Sequence, residues 1–350
     1  MRASLRVFRG SLIVSGLALV AALLYGGWPA VGLAAVLGVM EVSLSFDNAI
    51  VNARVLERMS DPWRRVFLTA GVAIAVVGMR LLLPLVLVCA TTGLSMTETV
   101  RLAFTPGRPS EPGSFSFYLS AAHPQIAAFG GTFLLMMFLE FVFTTREVVW
   151  LGPLERTLAR CARWRMLPWL LSLVAVALGT TVASTWFPVF IAGLSGLATY
   201  ALVKLICVSA GRGEPDAGPL VGRAALIGFL YLEVLDASFS FDGTVGAFAI
   251  TSDPVIIVLG LGCIGAVFVR SITMDLVRRR TLNEYVYLEH GAHWAIGVLA
   301  VILLITIAVP VPEFLTGGAS LVIIGAAVVS SVVRRTRDGI GPVMEEPAIR

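Results

Sequence analysis

Two short stretches of the chain carry the same acids at the same spacing: Glu41-Val-Ser-Leu-Ser-Phe-Asp47 and Asp236-Ala-Ser-Phe-Ser-Phe-Asp242. Position by position, both read acid, apolar, Ser, apolar, Ser, Phe, Asp. Each lies inside an apolar run, the first over about 30–53 and the second over about 221–250. A carboxylate in hydrocarbon costs roughly 3 kcal/mol or more, so acids placed there face a cavity or a partner and mark a pathway. The same cost met twice in matching sequence points to one site built in two halves.

On a helix, Glu41, Ser45, Asn48 and Asn52 follow i, i+4, i+7 and i+11 and form a polar stripe. The second copy offers Glu233, Asp236, Ser240 and Gly243 at i, i+3, i+7 and i+10. Asp47 and Asp242 stand about 120° off these stripes. A straight helix cannot aim all these oxygens at one centre, so a break near Asn48 or Gly243 is expected; unwinding there would also free main-chain carbonyls. Carboxylates, an amide and hydroxyls are hard oxygen donors, suited to Mg, Ca or Mn rather than Zn or Cu. Several converging acids fit a divalent cation better than a monovalent one, and an anion fits badly.

Other charges within apolar runs are weighed in the same way. Arg80 and Arg270 each lie in the span after an acidic motif. They are either charge partners that neutralise an emptied acid site or purely structural ion pairs. Glu140, flanked by Leu-Leu-Met-Met-Phe-Leu and Phe-Val-Phe, needs a functional or paired state. Glu289 and His293, at i and i+4, could form a proton relay or an auxiliary metal site, or simply a polar helix start; their order is not that of HExxH zinc proteases. Asp275 and Glu313, near span ends, are expected to be solvated.

The elements that must position these residues are transmembrane. The 350 residues are 57% apolar and 14% charged, with a mean hydropathy of +0.90, which excludes a soluble domain. Runs long enough to cross a bilayer fall at about 11–27, 30–53, 66–90, 125–145, 166–184, 187–208, 221–250, 254–276, 287–309 and 313–333. The fold class expected is therefore all-α, a polytopic transmembrane helical bundle of about ten spans. Basic residues gather in alternate loops. Only Arg101 and Arg108 fall in the opposite loops and Arg80 and Arg270 inside spans; the rest of the 26 basic residues lie on one side. The positive-inside rule places that side, and both termini, in the cytoplasm of a cell membrane. The pI near 9.1 is explained by this topology and not by nucleic acid.

The two motifs lie five spans apart, so their helices run in opposite directions, the mark of an inverted-topology repeat with a shared site near the midplane. The organisation expected is an anchor span over 1–29, retained rather than cleaved as a signal peptide, and a first repeat half over 30–210. A cytoplasmic linker over 211–222, a second half over 223–335 and a disordered tail over 336–350 follow. The outer loop 91–124, rich in Pro, Gly and Ser, is expected to be irregular, and 146–165 to form a basic amphipathic surface helix. The four cysteines have no CxxC spacing and read as buried fillers.

At Glu41–Ala49 and Asp236–Gly246 the chain resembles the TerC-type integral membrane family, named for tellurium resistance and grouped with LysE-like exporters. The resemblance covers about 30–335, and its strongest signal is Glu41-x-x-x-Ser45-Phe46-Asp47-Asn48-Ala49. Gly243 stands where that family usually has Asn, which marks a divergent branch. The resemblance implies export of divalent metal, manganese above all, with Glu41, Asp47, Asn48, Asp236 and Asp242 as the metal site. Ser45, Glu140, Glu233, Ser240, Glu289 and His293 are further candidates for metal or proton handling. The function expected is secondary-active export of manganese, with no nucleotide, since GxxxxGK[ST] is absent. A membrane assembly or stress-response factor without transport is the alternative; an intramembrane hydrolase using Asp47 and Asp242 finds no other support.

Overall fold

The computed structural model describes residues 2–105, 107, 110–160, 164–209, 220–279 and 281–337. Among them the chain is helical throughout, and its single isolated bridge joins Met59 to Leu220. Seven helices are long and apolar enough to cross a membrane. Their outward faces are apolar, with Leu17, Leu24, Trp28, Leu178, Trp186, Leu202, Val322 and Val329 exposed. In water such a surface would be untenable; in lipid it is the required one. The protein is an integral membrane protein.

Helix α1 (Arg2–Leu44) is broken at Gly26 and Gly27, where Gly27 takes φ 67°, a left-handed conformation that suits glycine. A straight helix would hold Phe8 and Glu41 about 50 Å apart. Yet Phe8 packs on Phe268, and Glu41 lies against Gly265, three residues away. The chain therefore turns back at the glycines, and α1 is a hairpin of two helices. The expected boundary between the first two spans falls at this turn.

Helix α2 (Phe46–Leu56) follows after the single residue Ser45. Helix α3 (Asp61–Ala73) passes through a π-helical stretch, Ile74–Leu82, into α4 (Leu83–Thr92). The outer loop is less irregular than expected. It contains α5 (Met96–Ala103), started by a reciprocal cap between Ser95 and Glu98, and α6 (Phe115–Val142) begins well before residue 125 and runs through Pro124. That Ser-x-x-Glu cap was readable in the sequence, and the Ser95 bonds hold the Glu98 carboxyl below its ordinary value. Among its described residues, the basic segment 146–165 is helical over α7 (Gly152–Arg160).

The remaining helices are α8 (Leu167–Val182), α9 (Trp186–Ser209), α10 (Gly222–Ile250), α11 (Pro254–Ile257), α12 (Val267–Arg278), α13 (Thr281–Glu284), α14 (Leu288–Thr306) and α15 (Glu313–Arg337). A second π-helical stretch, Val258–Ala266, joins α11 to α12 and packs against the first. Cys89 and Cys263 are free. Most of the linker and the tail beyond residue 337 lie outside the described residues.

Among the described residues, two large apolar cores and two smaller clusters hold the bundle. One large core gathers Ile50, Leu56, Phe67, Phe133, Leu232, Leu235 and Leu299, and the other Ala34, Leu37, Leu85, Ala122, Ala247 and Leu261. Residues 41–48 and 236–243 fall between them, so the acids form a polar layer inside the apolar bundle. The second arm of α1 meets the second π-helical stretch through small residues, as closely packed membrane helices do. A methyl on Gly260 would come within 2.7 Å of Leu37 Cβ and 2.9 Å of the Ala34 carbonyl. Gly260→Ala is therefore expected to cost about 1–3 kcal/mol, read as a lower unfolding temperature in detergent. Gly325→Ala, which meets nothing within 4 Å, should leave that temperature in place.

Candidate functional site

The first motif is shaped by Ser45. Its φ of −101° and ψ of 13° end α1 and start α2, and its hydroxyl donates to Glu41 Oε1 at 2.9 Å. The main-chain bonds from Ser45 N to the Glu41 carbonyl at 2.9 Å and from Ala49 N to the Ser45 carbonyl at 3.0 Å persist across this bend. The bend lies at Ser45, three residues before Asn48, and α10 runs unbroken through Gly243. The bend separates Glu41 from Asp47 and leaves Asp47 in the first turn of α2, where unpaired amides and the helix dipole favour a carboxylate. The Asn48 amide donates to Asp47 Oδ1 at 2.8 Å.

The two motifs meet. Asn48 Nδ2 donates to Asp236 Oδ1 at 2.8 Å, and a methyl on Gly243 would sit 3.2 Å from Glu41 Oε2. Going from residue 41 to 48, the partner falls from 243 to 236, so these segments run antiparallel. The side chain of Asp242 lies outside the described residues.

Each motif's leading acid holds an arginine. Arg80, at the end of the first π-helical stretch, pairs with Glu41 and donates to the Ala75 carbonyl at 3.0 Å. Arg270 pairs with Asp236 at 3.1 Å and with both oxygens of Glu233 at 3.2 Å. It also donates to the Phe67 carbonyl and lies over the Phe67 ring. Both guanidinium groups are buried. Asp47 differs: it is fully buried, and its remaining bond is from Ser320 Oγ of α15 to Oδ2 at 3.4 Å. Among the described residues no basic side chain pairs with it.

Several buried oxygens near this layer have no partner among the described residues: Asn48 Oδ1, Asn52 Oδ1 and Ser240 Oγ. Asn52 lies one turn beyond Asn48 and Ser240 one turn beyond Asp236, which places the orphans on the helices that carry the acids. Leaving such groups unbonded costs about 1–3 kcal/mol each, a cost that a hard cation would remove. No three His, Cys, Asp or Glu side chains gather as a metal cage among the described residues. Donors present there are instead Glu41 held by Arg80, Glu233 and Asp236 held by Arg270, Asp47 without a basic partner, amide oxygens and hydroxyls.

Other candidates lie elsewhere. Glu140 accepts from Tyr200 Oη at 2.8 Å and pairs with Lys204, a paired state away from the acid layer. Glu289 bridges Arg54 and Arg146. His293 bonds the Glu289 carbonyl and stacks on Phe141, so these two side chains share no centre. Burial lowers Arg146 from its ordinary value, with Glu289 opposing. Asp275 pairs with Arg279, and the Glu313 side chain lies outside the described residues.

Two features were missed in the sequence. Ser320, with Thr316 one turn before it on the same face of α15, brings a third helix to Asp47; the signal was a pair of small hydroxyl residues at i and i+4 in an apolar span. Glu155 was read as part of a surface helix, yet it is buried and accepts from Trp294 Nε1 at 2.9 Å and His290 Nδ1 at 3.2 Å.

Fold and site together define a helical membrane protein with a buried layer of acids, in which Arg80 pairs with Glu41 and Arg270 with Glu233 and Asp236. A family model described as a protein of unknown function (DUF475) matches residues 46–338, and the chain belongs to that family. The match takes in Asp47, Asn48 and the whole second motif. No curated protein and no solved structure matches the chain.

Proposed function

We propose that this protein is a secondary-active transporter that exports a divalent metal cation, manganese first among them, in exchange for protons. The observation that carries the reading is Asp47: a wholly buried carboxylate with no basic partner among the described residues, beside unpartnered oxygens of Asn48, Asn52 and Ser240. Among the described residues, the cations paired with Glu41, Asp47, Glu233 and Asp236 are Arg80 and Arg270 alone. If all are ionised, a formal excess of two negative charges is buried, before Asp242 is counted. A divalent cation, or protons in its place, offsets that excess, and the exchange of one for the other is transport. The arginines hold the motif's leading acids while cargo is absent.

The membrane architecture proposed is ten spans with both termini cytoplasmic. It counts α1 as two arms and includes α8 and α10. An inverted repeat is supported by the reversed order of contacts between the motifs, by the arginine on each leading acid and by a π-helical stretch in each half. The preference for manganese, and a place as a divergent branch of the TerC type, rest on the resemblance of the motifs. Metal-loaded cells expressing the protein should hold less manganese than cells expressing Asp47→Asn or Asp242→Asn. Equal content in all three removes the export reading.

A further inference from the structure

At the end of the bundle that carries the basic loops, α7 and the loop 143–151 enclose a cleft of about 260 Å³. Its walls present Arg146, Arg156 and Arg160, together with Thr145. Arg156 and Arg160 are exposed and make no ion pair among the described residues, whereas Arg146 is half-spent on Glu289 at 3.5 Å. The cleft's one acid, Glu155, is already used: it takes bonds from the Trp150 amide at 3.0 Å, from Trp294 and from His290. Glu155 thereby ties α7 to α14 and fixes the cleft wall. Arg146 is fixed as well, its guanidinium lying 3.9 Å from the Phe141 ring centre while His293 stacks on that ring at 3.7 Å.

We propose that this cleft binds a phosphate-bearing anion, either the headgroup of an anionic phospholipid or free phosphate. Guanidinium forks match phosphate oxygens in pairs, and three of them surround a space smaller than that of a drug-sized site, about 300–1,000 Å³. Exposed Leu154, Trp164 and Met166 flank the arginines, a combination suited to the interface of a bilayer. The cleft is separate from the acid layer, so the proposal stands independently of the cargo.

The test is native mass spectrometry of the full chain in detergent with phosphatidylglycerol or phosphatidylcholine added. Retention of phosphatidylglycerol over phosphatidylcholine is expected, weakening as salt rises. Arg156→Gln with Arg160→Gln should weaken it roughly 30-fold, at about a fivefold loss per arginine, while lysine at both positions retains most of it. Displacement by inorganic phosphate would assign the site to free phosphate, and resistance would assign it to the lipid headgroup. Equal retention of the two lipids, or unchanged retention in a folded glutamine variant, would overturn the proposal. If that variant does not fold, lipid selectivity and salt dependence of the parent decide the matter.

Discussion

Arg270→Ala should lower the stability of the purified protein by about 3–5 kcal/mol, because it strips a buried counter-charge from two acids. Glu233 and Asp236 are both buried and both bonded to this guanidinium. Removing the arginine alone leaves them facing each other, whereas Glu233→Gln with Asp236→Asn removes the repulsion as well. The triple variant should therefore recover most of the loss, and a mutant cycle built from unfolding temperatures in detergent measures the coupling. An Arg270→Ala protein that melts with the parent would show that the ion pairs carry no structural load. Gly71 adds a steric check, since a methyl there would run into the Arg270 guanidinium and come within 2.8 Å of Glu233 Oε1.

The second large effect concerns Asp47. Its amide, Asp47→Asn, keeps the shape and removes the charge, so manganese affinity of the purified protein should fall by roughly 100-fold or more, at or beyond the upper end of what loss of an outer-shell partner costs. Asn52→Ala, which removes a carboxamide whose oxygen has no partner among the described residues, should cost less. In the parent, affinity should weaken as pH falls from about 8 to 5.5, because carboxylates must lose protons before they coordinate metal. Calorimetric titration across that range measures both effects. Affinity that ignores pH and survives Asp47→Asn would place the metal elsewhere or identify another cargo.

The sequence announced the acid layer better than its internal wiring. The matched motifs pointed to a meeting of the two segments, and Asn48 does bond Asp236, but which residues pair across them was not readable from spacing, and the expected approach of Asp47 to Asp242 lies outside the described residues. The arginine pairs were readable: a buried guanidinium in the next span has few other partners. The bend fell at Ser45, three residues before Asn48, at a residue whose hydroxyl bonds the Glu41 carboxylate, where a search for Asn and Gly does not look. Neither π-helical stretch was expected from the sequence, and both fall in the spans that carry the buried arginines. Glu289 and His293 shared a face as expected, but the nearest cations, Arg54 and Arg146, come from elements far away in the chain. The same distance hid Ser320 and Glu155, whose meaning depends on which helix lies opposite.

The most direct measurement is manganese flux into liposomes that contain only the purified protein, with a proton gradient imposed. The account predicts uptake that depends on the gradient and is abolished by Asp47→Asn, while a correctly folded Glu140→Gln protein still transports. Parent protein that binds manganese yet moves none, with or without the gradient, would contradict export and leave a membrane factor that senses or holds the metal.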